Sequence, residues 1–192
     1  MFAGWRTRTS ALVVVAVFVG ACSAIPSPVP TTGAPAVLSP EASSCHDPSG
    51  GAPIAVVTIG KGASGAVLLV TSVAGYASVL HIDACRWDRA AAGIETTDSV
   101  GGTVLASAPP ILSVDRGLTT GMEPIEHVLG GRSAPAVATV QITLSDGSVQ
   151  NAVVSNGYWL AWWAGTQGSG SVIALDASGA KLSETPFTPE SS

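Results

Sequence analysis

Toward the C-terminus apolar and polar positions alternate strictly. Val140, Ile142 and Leu144 interleave with Gln141 and Thr143, so a β-strand here has one apolar and one polar face. Asp146-Gly147 and Asn156-Gly157 follow as turn signals, because both pairs accept the positive φ of tight hairpins. Segments 148–154, 158–163 and 171–175 read as the returning strands, with a loop at 165–170 and a further turn at Ala177-Ser178-Gly179. Nearer the N-terminus, 54–59, 66–72 and 78–85 are short β-branched runs punctuated by Gly60, Gly62 and Gly75. A helix would need one unbroken stripe at 3.6 spacing, which these glycines interrupt. Segments 103–106 and 111–114 are weaker strand candidates, and 125–130 reads as a strand or one helical turn. The pattern predicts a mostly β fold of antiparallel meanders.

The first residues carry a different pattern. Arg6 and Arg8 precede an apolar run at 11–18, which ends in Val19-Gly20-Ala21-Cys22. Charge, apolar run and small residues in that order mark a secretory signal peptide, residues 1–21, and the run is shorter than the about 20 residues of a comfortable membrane span. Its ending resembles the lipobox of bacterial lipoproteins, a family in which the cysteine is acylated and becomes the first residue after cleavage. That resemblance implies lipidation at Cys22 and anchorage at the extracytoplasmic face of the cell membrane; an uncleaved N-terminal anchor is the alternative. Residues 22–44 then read as a disordered tether, with Pro26, Pro28, Pro30, Pro35 and Pro40 set among Ser, Thr and Ala. The folded region is expected in two parts, an N-terminal β-rich region at 45–120 and a C-terminal meander at 121–188.

Charge and cysteine usage narrow the partners. The chain of 192 residues has a net charge of −5, and only 11% of its residues are charged. Removing Arg6 and Arg8 would make it more acidic still, and no basic stripe exists, which argues against nucleic acid. With Cys22 assigned to lipid, Cys45 and Cys85 remain as an even pair in an oxidising compartment and read as one disulfide. The alternative is a free nucleophilic thiol at Cys85.

The C-terminal region carries a second likeness. Gly131-Arg132, Val137, Val140, Asp146-Gly147, Asn156-Gly157, Trp159, Ala161-Trp162-Trp163-Ala164-Gly165, Asp176 and Gly179 together resemble a pattern in actinobacterial exported proteins. The likeness spans about residues 130–180, and Cys85 is similar in placement to a cysteine of those chains. Ala164 departs from the pattern, which has proline there. The resemblance implies an Ig-like or sandwich-like fold and brings no catalytic residues.

Candidate chemistry is sparse. His46, His81 and His127 stand far apart in sequence without a metal-ligand motif, so neither a metal nor another cofactor is expected. His81-Ile82-Asp83 puts a histidine and a carboxylate on one strand face, a base with its orienting partner. No G-x-S-x-G nucleophile turn occurs; Gly62-Ala63-Ser64-Gly65 is shifted by one residue, and Gly60-Lys61-Gly62 lacks the helix of a phosphate cradle. The aromatic strand is the richest binding-grade segment. Placing Tyr158, Leu160 and Trp162 on the core with Val140 leaves Trp159 and Trp163 flanking Ala161 as an accessible trough; the alternative is that both faces are covered. The expected function is a non-catalytic binding or accessory role at the cell envelope, toward a protein, glycan or lipid. The rival is an extracytoplasmic hydrolase using His81 and Asp83.

Overall fold

The glycine-punctuated runs near the N-terminus form four strands. β1 (Pro53–Lys61), β2 (Ser64–Val73), β3 (Tyr76–Ala90) and β4 (Gly93–Leu105) pair consecutively as an antiparallel meander, sheet I. Structural description comes from a computed structural model and covers residues 38–46, 51–91, 93–121, 123–188 and 190–191. The expected signal peptide, Cys22 and the tether as far as residue 37 lie outside the described residues. Among those described, no helix is long and apolar enough to cross a membrane.

The remaining strands build two further sheets. Sheet II has the order β13 (Glu190–Ser191), β5 (Arg116–Thr119), β6 (Glu126–Arg132), β10 (Tyr158–Ala164) and β9 (Val153–Ser155). Sheet III has the order β12 (Lys181–Phe187), β11 (Gly170–Leu175), β7 (Thr139–Leu144) and β8 (Val149–Asn151). The fold is mostly β and sandwich-like, and antiparallel apart from the β13–β5 pair. Asn156 and Gly157 have φ of 52° and 81°, the two left-handed residues that a tight β9–β10 hairpin demands.

Two apolar layers hold the sheets together. Val57, Leu68, Val70, Ile82 and Ala84 of sheet I pack on Leu118, Val128 and Leu160 of sheet II. Leu129, Trp159, Ala161 and Trp163 from the opposite face of sheet II pack on Val140, Ile142, Val172 and Phe187 of sheet III. Sheet II is therefore the middle layer, buried on both sides. A third cluster sits on the outer face of sheet I, where Ala42 of helix α1 (Pro40–Cys45) meets Val67, Leu69 and Trp87.

Several elements differ from expectation. Residues 40–44, assigned to the tether, belong to α1: the Ser39 hydroxyl accepts from Ala42 N at 3.2 Å and Pro40 opens the helix, where its missing N–H costs nothing. Segment 148–154 is two strands, not one. Ala152 N donates to Val140 O at 3.0 Å between them, and the chain passes there from sheet III to sheet II. β4 begins ten residues before the expected 103–106 strand and β12 was not expected. Segment 111–114 makes only an isolated bridge, Leu112 with Ser133. β5, inside the expected N-terminal region, pairs with β6 in sheet II.

Candidate functional site

The tryptophan strand is a core element. Trp159 and Ala161 are 0% exposed and Trp163 5%, so they form no accessible trough, and the expected binding surface at these three residues is corrected. They face sheet III with Val140, Ile142 and Leu144, while Tyr158, Leu160 and Trp162 face sheet I. Both faces are covered, because sheet II has a sheet on each side. The indoles are fastened as well as buried: Trp159 Nε1 donates to Ser113 O at 3.0 Å and Trp163 Nε1 to Gln167 O at 2.9 Å.

His127 belongs to the same layer. It is 2% exposed and its ring stacks on Trp163 with centroids 5.1 Å apart. Nε2 lies 2.9 Å from Gly165 O, a pure acceptor, so Nε2 carries the proton and Nδ1 accepts from the Thr119 hydroxyl at 2.8 Å. Burial lowers the pKa of His127, and the bond to Gly165 offsets this only in part. Gly168 closes over the ring, where a Cβ would stand 2.8 Å from Cε1. This neutral histidine fastens the 165–169 loop and is sealed from solvent.

His81 and Asp83 do meet. Nε2 and Oδ1 are 3.1 Å apart, with side-chain exposures of 40% and 17%, on the outer face of sheet I beyond α1. Their cross-strand neighbours are Thr71 and Thr103 beside His81, and Leu69 and Gly101 beside Asp83. The Thr71 hydroxyl is buried without a hydrogen-bond partner, so it is not activated by His81. A Cβ at Gly101 would collide with the Asp83 carboxylate, so this glycine lets the pair lie across β4. His46 sits just past α1, at the end of the segment carrying Cys45. Among the described residues, no group of three His, Cys, Asp or Glu side chains could hold a metal ion.

A disulfide and a cleft with charged lining complete the candidate features. Cys45 and Cys85 form a disulfide with Cα atoms 5.9 Å apart, pinning the end of α1 to the centre of sheet I. The thiol alternative at Cys85 is thereby removed. A cleft of about 430 Å³ opens where β4, β5 and β12 converge, lined by Val100, Gly101, Arg116, Gly117 and Phe187. Arg116 donates through Nε to Ile82 O at 3.3 Å and through Nη1 to Asp115 O at 2.7 Å, and a Cβ at Gly102 would collide with its Nη2. Sequence reasoning missed Arg116; the adjacent Gly101-Gly102 was its only trace. Arg132 of the actinobacterial-like pattern is structural: Nε pairs with Asp115 Oδ2 at 2.8 Å and Nη1 donates to Leu105 O at 2.9 Å. No protein-family model, no curated protein and no solved structure matches the chain.

Proposed function

We propose that this protein is a lipid-anchored extracytoplasmic binding or accessory module, held at the cell membrane through Cys22 and acting without catalysis on an envelope protein, glycan or lipid. The observation that supports it best is the Cys45–Cys85 bridge, which suits an oxidising compartment and fastens the domain where the proline-rich segment enters it. A module on a tether needs a firm attachment at that point. Among the described residues no nucleophile is seen hydrogen-bonded to His81, which favours binding over hydrolysis, although the 3.1 Å approach of His81 to Asp83 is what a hydrolase reading would build on. Cys22→Ser should move the protein from the membrane fraction to the soluble fraction or block its processing. Unchanged membrane retention and migration would defeat the anchor. Affinity capture from intact envelope, with the acylated chain as bait, would then identify the partner. A His81→Ala variant that still folds and captures it but loses a hydrolytic activity would favour the rival.

A further inference from the structure

Arg116 is set apart by what its charge lacks. Among the described residues, Arg86, Arg89, Arg132 and Lys181 each pair with a carboxylate, whereas the Arg116 guanidinium meets none. It is half-buried, and its two hydrogen bonds both go to backbone carbonyls, Ile82 O and Asp115 O. Two of the five N–H donors of a guanidinium are thereby used. These bonds fix its orientation without neutralising its charge. Gly102, bare of a side chain, gives Nη2 its room against β4. A cation drawn partly out of water without a counter-ion favours the approach of an anion.

The cleft beside it decides which anion fits. Val100, Val114, Leu129, Pro186 and Phe187 give it apolar walls, and its volume of about 430 Å³ is enough for a small organic molecule. Asp115 also lines the cleft, but its carboxylate is engaged elsewhere. Arg132 holds it through Nε at 2.8 Å and Nη2 at 3.4 Å, and the Ser113 hydroxyl donates to it at 3.0 Å. Asp115 is therefore no counter-ion for Arg116, and its negative charge screens what can enter. A phosphate monoester, close to doubly charged at neutral pH, would meet one guanidinium and be repelled by Asp115. A carboxylate brings a single charge and the planar shape that a guanidinium matches. The apolar walls then call for a hydrocarbon body on that carboxylate.

We propose that the cleft between β4, β5 and β12 binds an aliphatic carboxylate, with its carboxylate on Arg116 and its chain along Val100, Val114 and Phe187. The ligand supplies the counter-ion that the described residues withhold from Arg116. Its site is bordered by all three sheets, since β4 belongs to sheet I, β5 to sheet II and β12 to sheet III. The proposal rests on the binding reading above, for which it names a ligand class, and is independent of the lipid anchor.

The test titrates octanoate into the full chain with Cys22→Ser, which keeps any acyl chain of the protein's own out of the measurement. Amide resonances of Gly101, Gly117 and Thr188 should shift saturably. Octanol, the same chain without the charge, should bind about tenfold more weakly or worse, and inorganic phosphate should leave these resonances unmoved. Arg116→Gln should weaken octanoate about tenfold or more and leave octanol unchanged, a split that mere loosening of the cleft would not produce. Arg116 also binds two backbone carbonyls, so a second variant spares it. Val100→Trp, on a strand with no buried position, should fill the cleft and abolish binding of both probes while unfolding stays cooperative. Absence of a saturable shift overturns the proposal, as do equal affinities for octanoate and octanol, or octanoate binding that survives Val100→Trp. Phosphate binding in place of octanoate overturns it too. If octanoate fails while capture from the envelope succeeds, the binding module stands without this ligand; if both fail, the binding reading falls with it.

Discussion

At the scale of single residues, the decisive geometry is the stack of His127 on Trp163 under the 165–169 loop. The folded protein holds His127 neutral, with its pKa lowered by burial, whereas the unfolded chain protonates near the ordinary value of about 6.5. The unfolded state therefore binds the extra proton first as pH falls. The contribution of His127 to stability is full above that pH and declines as pH drops through it toward the lowered folded value. Unfolding midpoints in urea should thus fall between pH 8 and pH 5, and by less in His127→Gln. Trp163→Ala should cost about 3–5 kcal/mol, as for other buried large aromatics, and should also flatten the pH dependence by admitting water to the ring. An equal pH response in all three proteins would show that some other group governs it. The alternation in this strand was legible, but its assignment to faces was not. Tyr158-Leu160-Trp162 and Trp159-Ala161-Trp163 are both apolar sets, and choosing one for the core presumes a two-layer fold. With sheet II between two others, both sets are core.

At the scale of elements, legibility followed burial. β2 and β7 are buried continuously or on alternate residues and could be read from pattern alone. β4 has no buried position, so Glu95, Thr96, Thr97 and Asp98 gave no period to follow. The 148–154 segment keeps its strand character through Ala152, and nothing local reveals that the chain changes sheets there. Helix α1 is six residues long, too short for a helical period, and its Ser39-Pro40 start is hidden among other prolines. What holds so short a helix is tertiary: Ala42 packs on Val67 and Leu69, Arg89 pairs with Glu41 at 2.6 Å, and the disulfide closes a loop 40 residues apart in sequence. The arginine is half-exposed, so the ion pair contributes little. Replacing both cysteines with serine should cost about 3–4 kcal/mol through loop entropy and free α1 from sheet I. Trp87, which α1 covers, should become more accessible to a fluorescence quencher before global unfolding. Unchanged quenching would mean that packing of Ala42 alone retains the helix.

At the scale of the whole molecule, the question is what fixes the relative position of stacked sheets whose apolar faces could slide over one another. Sheets I and II meet over small and branched side chains, Val57, Ala84, Val70 and Val128 among them, which match many offsets nearly as well as one. A single ionic contact crosses that layer between the described strands: Arg86 of β3 pairs with Glu126 of β6, with side-chain exposures of 10% and 9%. Glu126 Oε2 meets Arg86 Nη2, while Arg86 Nε is buried without a hydrogen-bond partner. Desolvating two charges offsets most of their attraction, so the pair is a weak source of net stability but a strong selector of alignment, since any slide separates the charges in a low-dielectric layer. Its two halves should then respond unequally to removal. Glu126→Ala leaves a buried guanidinium unpaired and should cost about 3–5 kcal/mol, whereas Arg86→Met with Glu126→Leu should be near neutral or stabilising by about 1–4 kcal/mol. The paired apolar variant should fold yet lose uniqueness between sheets I and II, seen as broadened amide resonances from β3 and β6 and faster hydrogen exchange at Val128 than at Ile142 in the other layer. If the double variant is as costly as Glu126→Ala alone, the ion pair is a net stabiliser, and alignment is set by the apolar contacts instead.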